Sequence, residues 1–261
     1  SITALTLDMS AAGAATFNSS VTYSGDLVSS TSGTSNFRAG VNAGNSIASG
    51  GIRNTLVGDE AGTAISTGDE NVAIGYEALK NEDGHGQNTA IGTQALFTQN
   101  AGTDAQNVAV GYQAGAAITT GIRNVLIGGV TGDALTDADN NVAIGRAALS
   151  SDTLGSNSIA IGRNALISQN FTTATDTFNV AVGDRAGAGI TTARFNTLIG
   201  GLAGDALTDG QENVALGYNS LGAETQGHRN VAVGDSALAA QNGNDDNVYN
   251  VAVGFEAGKA V

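Results

Sequence analysis

The sequence has no cysteine, proline or tryptophan, and few aromatic or basic residues. The absence of cysteine excludes disulfides and thiolate metal sites. Ten Lys and Arg against 24 Asp and Glu give a net charge of −14, which argues against nucleic acid and anionic membranes as partners. No run approaches the ~20 apolar residues of a membrane-spanning helix, so we expect no membrane insertion. Charged residues make up only 13%, so we expect a surface mostly of amide, hydroxyl and small apolar groups.

Glycine is abundant, with 38 residues, and it marks a short phrase that recurs thirteen times. The phrase is Asn, an apolar residue, a small or apolar residue, an aliphatic residue and Gly, as in Asn71-Val72-Ala73-Ile74-Gly75. Ser158 replaces the Asn in one copy. We count positions from the Asn of each copy as 0, so the Gly lies at +4. Such self-similarity is typical of a solenoid, in which each repeat is one coil stacked on its neighbours.

The spacing of the phrase adds a second level of order. Most steps from Asn to Asn are 17 residues, and a longer step follows every fourth coil. This divides the repeat region into groups at 36–106, 107–178 and 179–249, with a partial group at 250–261. The first two coils of a group carry an aliphatic residue at +11, whereas the third and fourth carry Leu at +8. The chain stops within a coil, which predicts that it is part of something longer.

The phrase itself predicts a short β-strand. Val and Ile at +1 and +3 share one face of an extended segment and suit a pleated surface, so we predict that they point inward. Asn at 0 and Ala at +2 then point the other way. Gly at +4 would end the strand, through a positive φ or a close backbone approach. The residues that represent this structural repeat are Asn71, Val72, Ile74, Gly75, Asn141, Val142, Ile144, Gly145, Asn213, Val214, Leu216 and Gly217.

The predicted fold is therefore all-β, a parallel β-roll of about thirteen ~17-residue coils with room in each for two short strands. A helix is disfavoured because the 3.6-residue stripe is absent and each interior Gly would cost roughly 1 kcal/mol. The Asn column is interpreted as a stacked amide ladder or turn former. Residues 1–35 lack the repeat. They are predicted to form two short strands, around Leu5–Met9 and Phe17–Tyr23, followed by a linker.

The small residue at +2 predicts self-association. A row of Ala, repeated coil after coil, would allow close approach of another copy of the chain, and a 17-residue coil encloses little apolar volume of its own. The alternative is a monomeric solenoid whose Ala row faces solvent. The residues predicted to line a trimer seam are Ala73, Ala90, Ala109, Ala143, Ala160, Ala181, Ala215, Ala232 and Ala252.

Position +5 and the longer segments between phrases are the candidate receptor contacts. Position +5 varies between charged residues and aromatic rings, and the aromatic members are Tyr76, Tyr112, Tyr218 and Phe255. Rings beside amides and carboxylates can bind carbohydrate or protein, although scattered exposed rings are also ordinary. The two longest inter-phrase segments, 168–178 and 239–249, are the other candidates, because insertions in solenoids form loops on one face.

Catalysis and metal binding have weak support in the sequence. Gly234-Asp235-Ser236 resembles a hydrolase nucleophile block, but the same position holds other residues in other coils. We therefore predict no enzyme activity and no cofactor. His85 and His228 fall in turns and are predicted to be solvent-exposed rather than metal ligands. The turn carboxylates could hold Ca²⁺, but they lack the pattern of calcium β-rolls and a solvated turn is favoured; they are Asp133, Asp137, Asp205 and Asp209.

Runs such as Asn71–Leu79 and Asn88–Gly92 resemble the repeats of phage tail-fibre and related virion-fibre proteins. They are also similar to the head domains of trimeric autotransporter adhesins, which share the Val-Ala-Ile-Gly core, although those heads usually have fewer residues per coil. The segment Leu5–Ser10 with Ala15–Phe17 resembles segments that precede such repeats in phage fibres.

This resemblance implies a left-handed, homotrimeric β-roll used for surface attachment. The implied function is that of a structural and host-attachment component of a phage tail fibre in the virion. Its partners would be itself, other tail or fibre proteins, and a glycan or protein receptor on the host surface. The alternative is the head of a bacterial adhesin on the outer cell surface. Ice binding would need a regular Thr array, which the chain lacks.

Overall fold

The computed structural model describes residues 32–243 and 248–259. The two strands predicted within residues 1–35 lie outside the described residues. In the described part the chain forms fifteen short β-strands and no helix, so no helix there could span a membrane. The strands are β1 Phe37–Ala39, β2 Thr55–Val57, β3 Val72–Ile74, β4 Thr89–Ile91, β5 Val108–Val110, β6 Val125–Ile127, β7 Val142–Ile144, β8 Gly155–Ser156, β9 Ile159–Ile161, β10 Thr175–Asp176, β11 Val180–Val182, β12 Thr197–Ile199, β13 Val214–Leu216, β14 Val231–Val233 and β15 Val251–Val253.

Thirteen of these strands form one parallel sheet in chain order, one strand from each predicted coil. Each strand pairs with the strand of the next coil at the same repeat position, as Val72 does with Thr89 and Ala73 with Ala90. The remaining strands, β8 and β10, pair in parallel to form a two-stranded sheet. The predicted all-β parallel solenoid of about thirteen coils is therefore confirmed. At about 4.8 Å between strands, the thirteen coils span roughly 60 Å.

Each full coil contains one main strand, whereas two were predicted. The reason lies in three positions with positive φ, at +6, at +8 and immediately before the Asn, where the backbone turns instead of extending. In the coil that begins at Asn71 these are Glu77, Leu79 and Gln87, with φ of 55°, 50° and 62°. The left-handed region is costly for residues other than Gly. The hydrogen bonds between coils hold the chain there in every coil.

The inward face of the sheet is the one that holds Asn and Ala, so the predicted orientation is wrong. Asn71 and Ala73 are fully buried, while Val72 and Ile74 lie on the outer surface with Ile74 37% exposed. Because side chains alternate along a strand, all other coils share this arrangement. The physical reason is that the coil is narrow: it accommodates amides and methyl groups opposite its buried Leu and Ile side chains.

The alanines predicted to line a trimer seam are therefore inside the single chain. Eight of the nine are 0% exposed and Ala252 is 8% exposed. They pack in one continuous core, so they are not available for contact with a second chain. The alanines in question are Ala73, Ala90, Ala109, Ala143, Ala160, Ala181, Ala215, Ala232 and Ala252.

The predicted aliphatic anchors at +8 and +11 are buried, and the structure explains why they alternate. In the first two coils of each group, +8 is Gly and has no side chain. The aliphatic side chain at +11 and the Leu at +2 of the group's second coil fill the volume that a side chain at +8 would occupy. A Cβ on Gly62 would lie 2.8 Å from both Ile65 Cδ1 and Leu56 Cδ2. Where +8 is Leu, as at Leu79, the interior is filled from that side and +11 becomes polar, as at Glu82. Core volume is therefore conserved between the two coil types.

The Asn column forms the amide ladder predicted from the sequence. Asn124 is typical: its backbone N–H donates to Asn107 Oδ1 at 2.8 Å, and its own Oδ1 accepts the N–H of Asn141 at 3.0 Å. Its Nδ2 donates to the carbonyl of Ala138 at 2.7 Å, which fastens the strand to the far side of its coil. Buried polar groups must be paired, and this ladder pairs them in one coil after another.

Gly at +4 ends each strand for both of the reasons expected. Gly128 has φ 143°, and a Cβ there would lie 2.6 Å from the carbonyl oxygen of Gly145 in the next coil. No other residue fits both the backbone conformation and the spacing. The +4 glycines therefore fix the register of the stack.

Candidate functional site

The outer surface of the thirteen-stranded sheet forms a continuous apolar surface along the described part of the chain. We call it the aliphatic face: the side chains at +1 and +3 of every coil. It is almost entirely Val, Ile, Leu and Thr, and it contains no charged residue although the chain carries a net charge of −14. Several members are more than one-third exposed in the single chain, among them Ile74, Ile127, Ile159, Ile199, Val214, Leu216, Val251 and Val253.

The dimensions of the aliphatic face place it at the upper end of the apolar patches that monomers expose. Thirteen strands about 4.8 Å apart, each about 10 Å long, give an area of roughly 600 Å². Soluble monomers rarely expose contiguous apolar patches larger than a few hundred Å², and larger ones mark interaction sites. A second chain buries roughly 800 Å² per partner in a typical stable interface. The face with the +5 column at its edge approaches that size.

The aromatic residues predicted to contact a receptor are all exposed. Tyr112 is 57% exposed and Phe255 is 75% exposed. Tyr76 and Tyr218 are about half exposed, at 49% and 55%. They occupy +5, directly after the strand-ending Gly, and so border the aliphatic face. The negative charge of Glu77 raises the pKa of the Tyr76 phenol.

One groove of about 370 Å³ opens in this column. It is lined by Tyr112, Gly129, Val130 and Arg146. Tyr112, Gly129 and Arg146 occupy +5 in three successive coils. The groove exists because Gly129, in the middle coil, has no side chain and leaves a gap between the ring of Tyr112 and the guanidinium of Arg146. A ring and a cation on either side of a gap are suited to a polar ligand such as a sugar.

The residue immediately before each Asn lies at the other end of the strand from +5. Along the rod these residues form a second column, in which several side chains pair with one another. Arg229 contacts both oxygens of Glu212, with Nε to Oε2 at 2.7 Å, and stacks over Tyr249. Phe178 and Phe195 stack with their ring centroids 5.8 Å apart. These contacts join successive coils along the rod.

The segment at 168–178 is held to the roll at several points rather than forming a free loop. Phe171 is 7% exposed and Thr177 is fully buried, and Thr177 Oγ1 is 2.5 Å from Ser158 Oγ. The second predicted segment, 239–249, lies partly outside the described residues. Its described part includes Gln241, which is buried beneath Asn250.

The candidate nucleophile and the turn carboxylates contact residues of their own coil or of the adjacent coil. Ser236 donates to its neighbour Asp235 at 2.7 Å, and Nδ1 of His228 accepts the backbone N–H of Gln211 at 2.9 Å. Within the described part of the chain, the hydroxyl of Ser236 is hydrogen-bonded to Asp235 rather than to His228, so the two are not paired as nucleophile and base. Asp137 accepts a hydrogen bond from Thr120 at 2.7 Å. Across the described ranges, none of the four turn aspartates considered as possible calcium ligands belongs to a group of three close acidic or His ligands.

A column of buried acids and glutamines was not foreseen. Position +11 is an acid in the third coil of each group (Glu82, Asp152, Glu224) and Gln in the fourth, and all six side chains are 3% exposed or less. In the second group Gln169 Nε2 donates to Asp152 Oδ2 at 2.6 Å, and Gln169 Oε1 accepts from Asn179. The third group repeats this, since Gln241 donates to Glu224 Oε2 at 2.8 Å. The alternation of acid and Gln at a fixed position was the signal available in the sequence.

The first group departs from this pattern at Glu82. Its Oε1 accepts the backbone N–H of His85 at 3.2 Å, but its Oε2 has no partner although the side chain is completely buried. Gln99, the expected partner, donates instead to the carbonyl of Thr119 at 3.3 Å. Burial raises the pKa of Glu82. In the described part of the chain, Glu82, Asp83 and His85 are the one group of three potential ligands, with ligand atoms within 4.8 Å of one another.

Comparison with family models, curated proteins and solved structures found no match.

Proposed function

We propose that this chain is a rod-like segment of a homotrimeric phage tail fibre, a structural and host-attachment component without enzyme activity. The observation that carries the proposal is the aliphatic face. A charge-free apolar strip that runs the length of a strongly acidic chain is suited to contact with an identical strip on another chain. The resemblance of the Asn-Val-Ala-Ile-Gly phrases to virion-fibre repeats supports the biological setting and a left-handed roll.

The repeat geometry favours association of parallel copies. Coils in successive groups differ in size and in their outer residues, so two copies match best when equal coils meet at equal heights. A rotation axis parallel to the rod achieves this for three copies, each of which turns its aliphatic face to the axis. The acidic and amide-rich surfaces then remain in solvent, where a net charge of −14 per chain is tolerated.

Attachment is assigned to the +5 column at the border of that face. Its exposed rings, and the groove between Tyr112 and Arg146, are the most ligand-like features of the outer surface. The expected receptor is a glycan or protein on the host surface. The alternative, the head of a bacterial surface adhesin, uses the same rod and is favoured by the same phrases.

The role of the aliphatic face is tested by placing a charge in its centre. Ile144→Lys lies on β7, midway along the rod, and Ser151→Lys, in an exposed turn of the same coil, is the matched control. Sedimentation velocity and far-UV circular dichroism are recorded for both. We expect Ile144→Lys to dissociate the assembly or to unfold with it, because a buried unpaired ammonium is costly. Ser151→Lys should keep the mass and spectrum of the parent.

If Ile144→Lys keeps both the parental mass and the parental stability, the face is not the interface and the proposal fails. The attachment role has a separate test. Fluorescently labelled rods are incubated with a panel of bacterial cells and with immobilised bacterial envelope glycans. Binding that Tyr112→Ala reduces at least fivefold supports a fibre role. Binding to animal-cell surfaces instead, with none to bacteria, would favour the adhesin alternative.

A further inference from the structure

We propose that Glu82, Asp83 and His85 form a binding site for a divalent transition-metal ion such as Zn²⁺, one site in each chain. This goes beyond the proposed fibre function and does not depend on it. The three residues lie in a single turn of the third coil, between the buried +11 position and the surface. An ion there would join the interior of the roll to its outer turn.

The first argument is the pair of unpartnered atoms. Glu82 is fully buried and its Oε2 has no hydrogen-bond partner, and Nδ1 of His85 is also buried without one. The two side chains face each other, with Nδ1 of His85 3.8 Å from Oε1 of Glu82. A buried carboxylate oxygen without a partner is costly. A cation between Glu82 and His85 satisfies both atoms at once.

The second argument is internal to the repeat. The equivalent turns of the other two groups have Thr at +12 and Gly at +14, where this turn has Asp83 and His85. In those turns the +11 acid is fully paired. Glu224 Oε1 accepts the N–H of Gly227 at 2.7 Å, and its Oε2 accepts from Gln241. The two potential ligands and the unpaired acid therefore occur together in one of three otherwise similar turns.

The geometry explains why these features are linked. A Cβ on Gly227 would lie 2.6 Å from Oε2 of Glu224, so the paired arrangement requires Gly at +14. His85 has a Cβ at that position, and Glu82 adopts a different arrangement in which Gln99 no longer reaches it. In this turn the imidazole of His85 lies beside the carboxylate of Glu82, where the other two groups have a Gln amide, and a bound cation would pair the oxygen that the amide leaves free.

The backbone of the turn is held in place before any ion binds. The carbonyl of His85 accepts from Asn71 Nδ2 at 3.1 Å, as part of the amide ladder. The carbonyl of Asp83 accepts from the backbone N–H of Ser66 at 2.6 Å and from its hydroxyl at 3.0 Å. The N–H of His85 orients Glu82 through Oε1, a contact typical of supported metal ligands.

The donor set selects the class of metal. One imidazole and two carboxylates suit Zn²⁺ and neighbouring transition ions, whereas Ca²⁺ and Mg²⁺ prefer oxygen alone. Zinc bonds of about 2.0–2.2 Å separate tetrahedral donors by roughly 3.3–3.5 Å. Nδ1 of His85 lies 3.8 Å from Oε1 of Glu82, and rotation of the Glu82 carboxylate would bring its unpartnered Oε2 to the bonding separation. The exposed carboxylate of Asp83 supplies the third ligand.

The experiment is titration of the full chain with ZnCl₂ by isothermal calorimetry, with a thermal-unfolding series in parallel. The main variant is the double substitution Asp83→Thr/His85→Gly, which gives positions +12 and +14 the residues that the other two groups carry there and so removes two ligands with residues that this fold already accepts. His85→Asn is the single-site variant. His228→Asn removes the other histidine of the chain and is the matched control.

We expect one Zn²⁺ per chain and a rise in melting temperature for the parent protein and for His228→Asn. The double variant and His85→Asn should bind at least tenfold more weakly, and Ca²⁺ should bind the parent at least tenfold more weakly than Zn²⁺. The proposal is overturned if Zn²⁺ gives neither heat nor a thermal shift. It is equally overturned if the double variant binds as the parent does, which would mean diffuse binding to an acidic surface, or if Ca²⁺ binds as tightly as Zn²⁺.

Discussion

Replacing Asn124 with Ala should destabilise the roll far more than the loss of one polar side chain usually does. Asn124 is completely buried in the sixth coil. Its removal leaves the N–H of Asn141 and the carbonyl of Ala138 without partners in the interior. Each unsatisfied buried group costs about 1–3 kcal/mol, so we expect a loss of about 2–6 kcal/mol per chain. Asn124→Asp keeps the acceptor for Asn141 but sets a carboxylate oxygen against the Ala138 carbonyl.

The assay is urea unfolding followed by far-UV circular dichroism at one fixed chain concentration, because association makes stability depend on concentration. Asn81→Ala is the control, since Asn81 is exposed in a turn, and it should lie within about 0.5 kcal/mol of the parent. Asn124→Asp should regain stability as the pH falls and the introduced carboxyl takes up a proton. A loss below about 1 kcal/mol for Asn124→Ala would refute the view that the amide ladder holds the coils together.

Two further predictions concern the interior. Leu149 has φ 55° at +8, where a β-branched residue is strained, so Leu149→Ile should lower the free energy of unfolding by about 1–3 kcal/mol. By contrast, Leu135→Ile at +11, where Ile118 already occurs, should cost less than about 1.5 kcal/mol in the same urea assay. Burial raises the pKa of Asp133, whose Oδ1 has no partner, above its unfolded value. The folded state therefore loses stability as the pH rises through that pKa, and Asp133→Asn should stabilise the protein at pH 7 but not at pH 3. Asp205, which also has a raised pKa but lies 3.6 Å from Arg185, should gain less from the same change, and a larger gain there would contradict the reasoning.

The repeat and its strands could be predicted because the Gly at +4 and the Asn at 0 have strong local requirements. Gly128 is needed for its φ and for the close approach of the next coil. Asn124 is needed at each step of a buried ladder. Residues with such requirements recur at a fixed spacing along the chain, and that spacing predicts the length of each coil.

The direction of the side chains was predicted wrongly because hydrophobicity alone does not orient a narrow coil. Val72 and Ile74 are more apolar than Asn71 and Ala73, yet they lie outside. The sequence did hold a signal for the correct orientation. A buried amide ladder requires Asn71 to face inward, and position +2 must share its face because alternate side chains do.

The cluster at Glu82 could not be predicted from spacing along the chain. Its distinctive property is the loss of a partner, Gln99, that lies 17 residues away. That loss results from the Cβ of His85, and it is visible only when three equivalent turns are compared in space. Tyr112 and the other rings at +5 are exposed because +5 follows the strand end, and their role as receptor contacts stays a prediction because the ligand depends on a surface outside this chain.

The most direct test of the central claim, that the aliphatic face joins identical chains, is the mass of the protein in solution by sedimentation equilibrium. The account predicts a species of three times the 25.8 kDa chain mass that persists on dilution. A stable, well-folded species of 25.8 kDa at all concentrations would contradict it, because the aliphatic face would then remain in water.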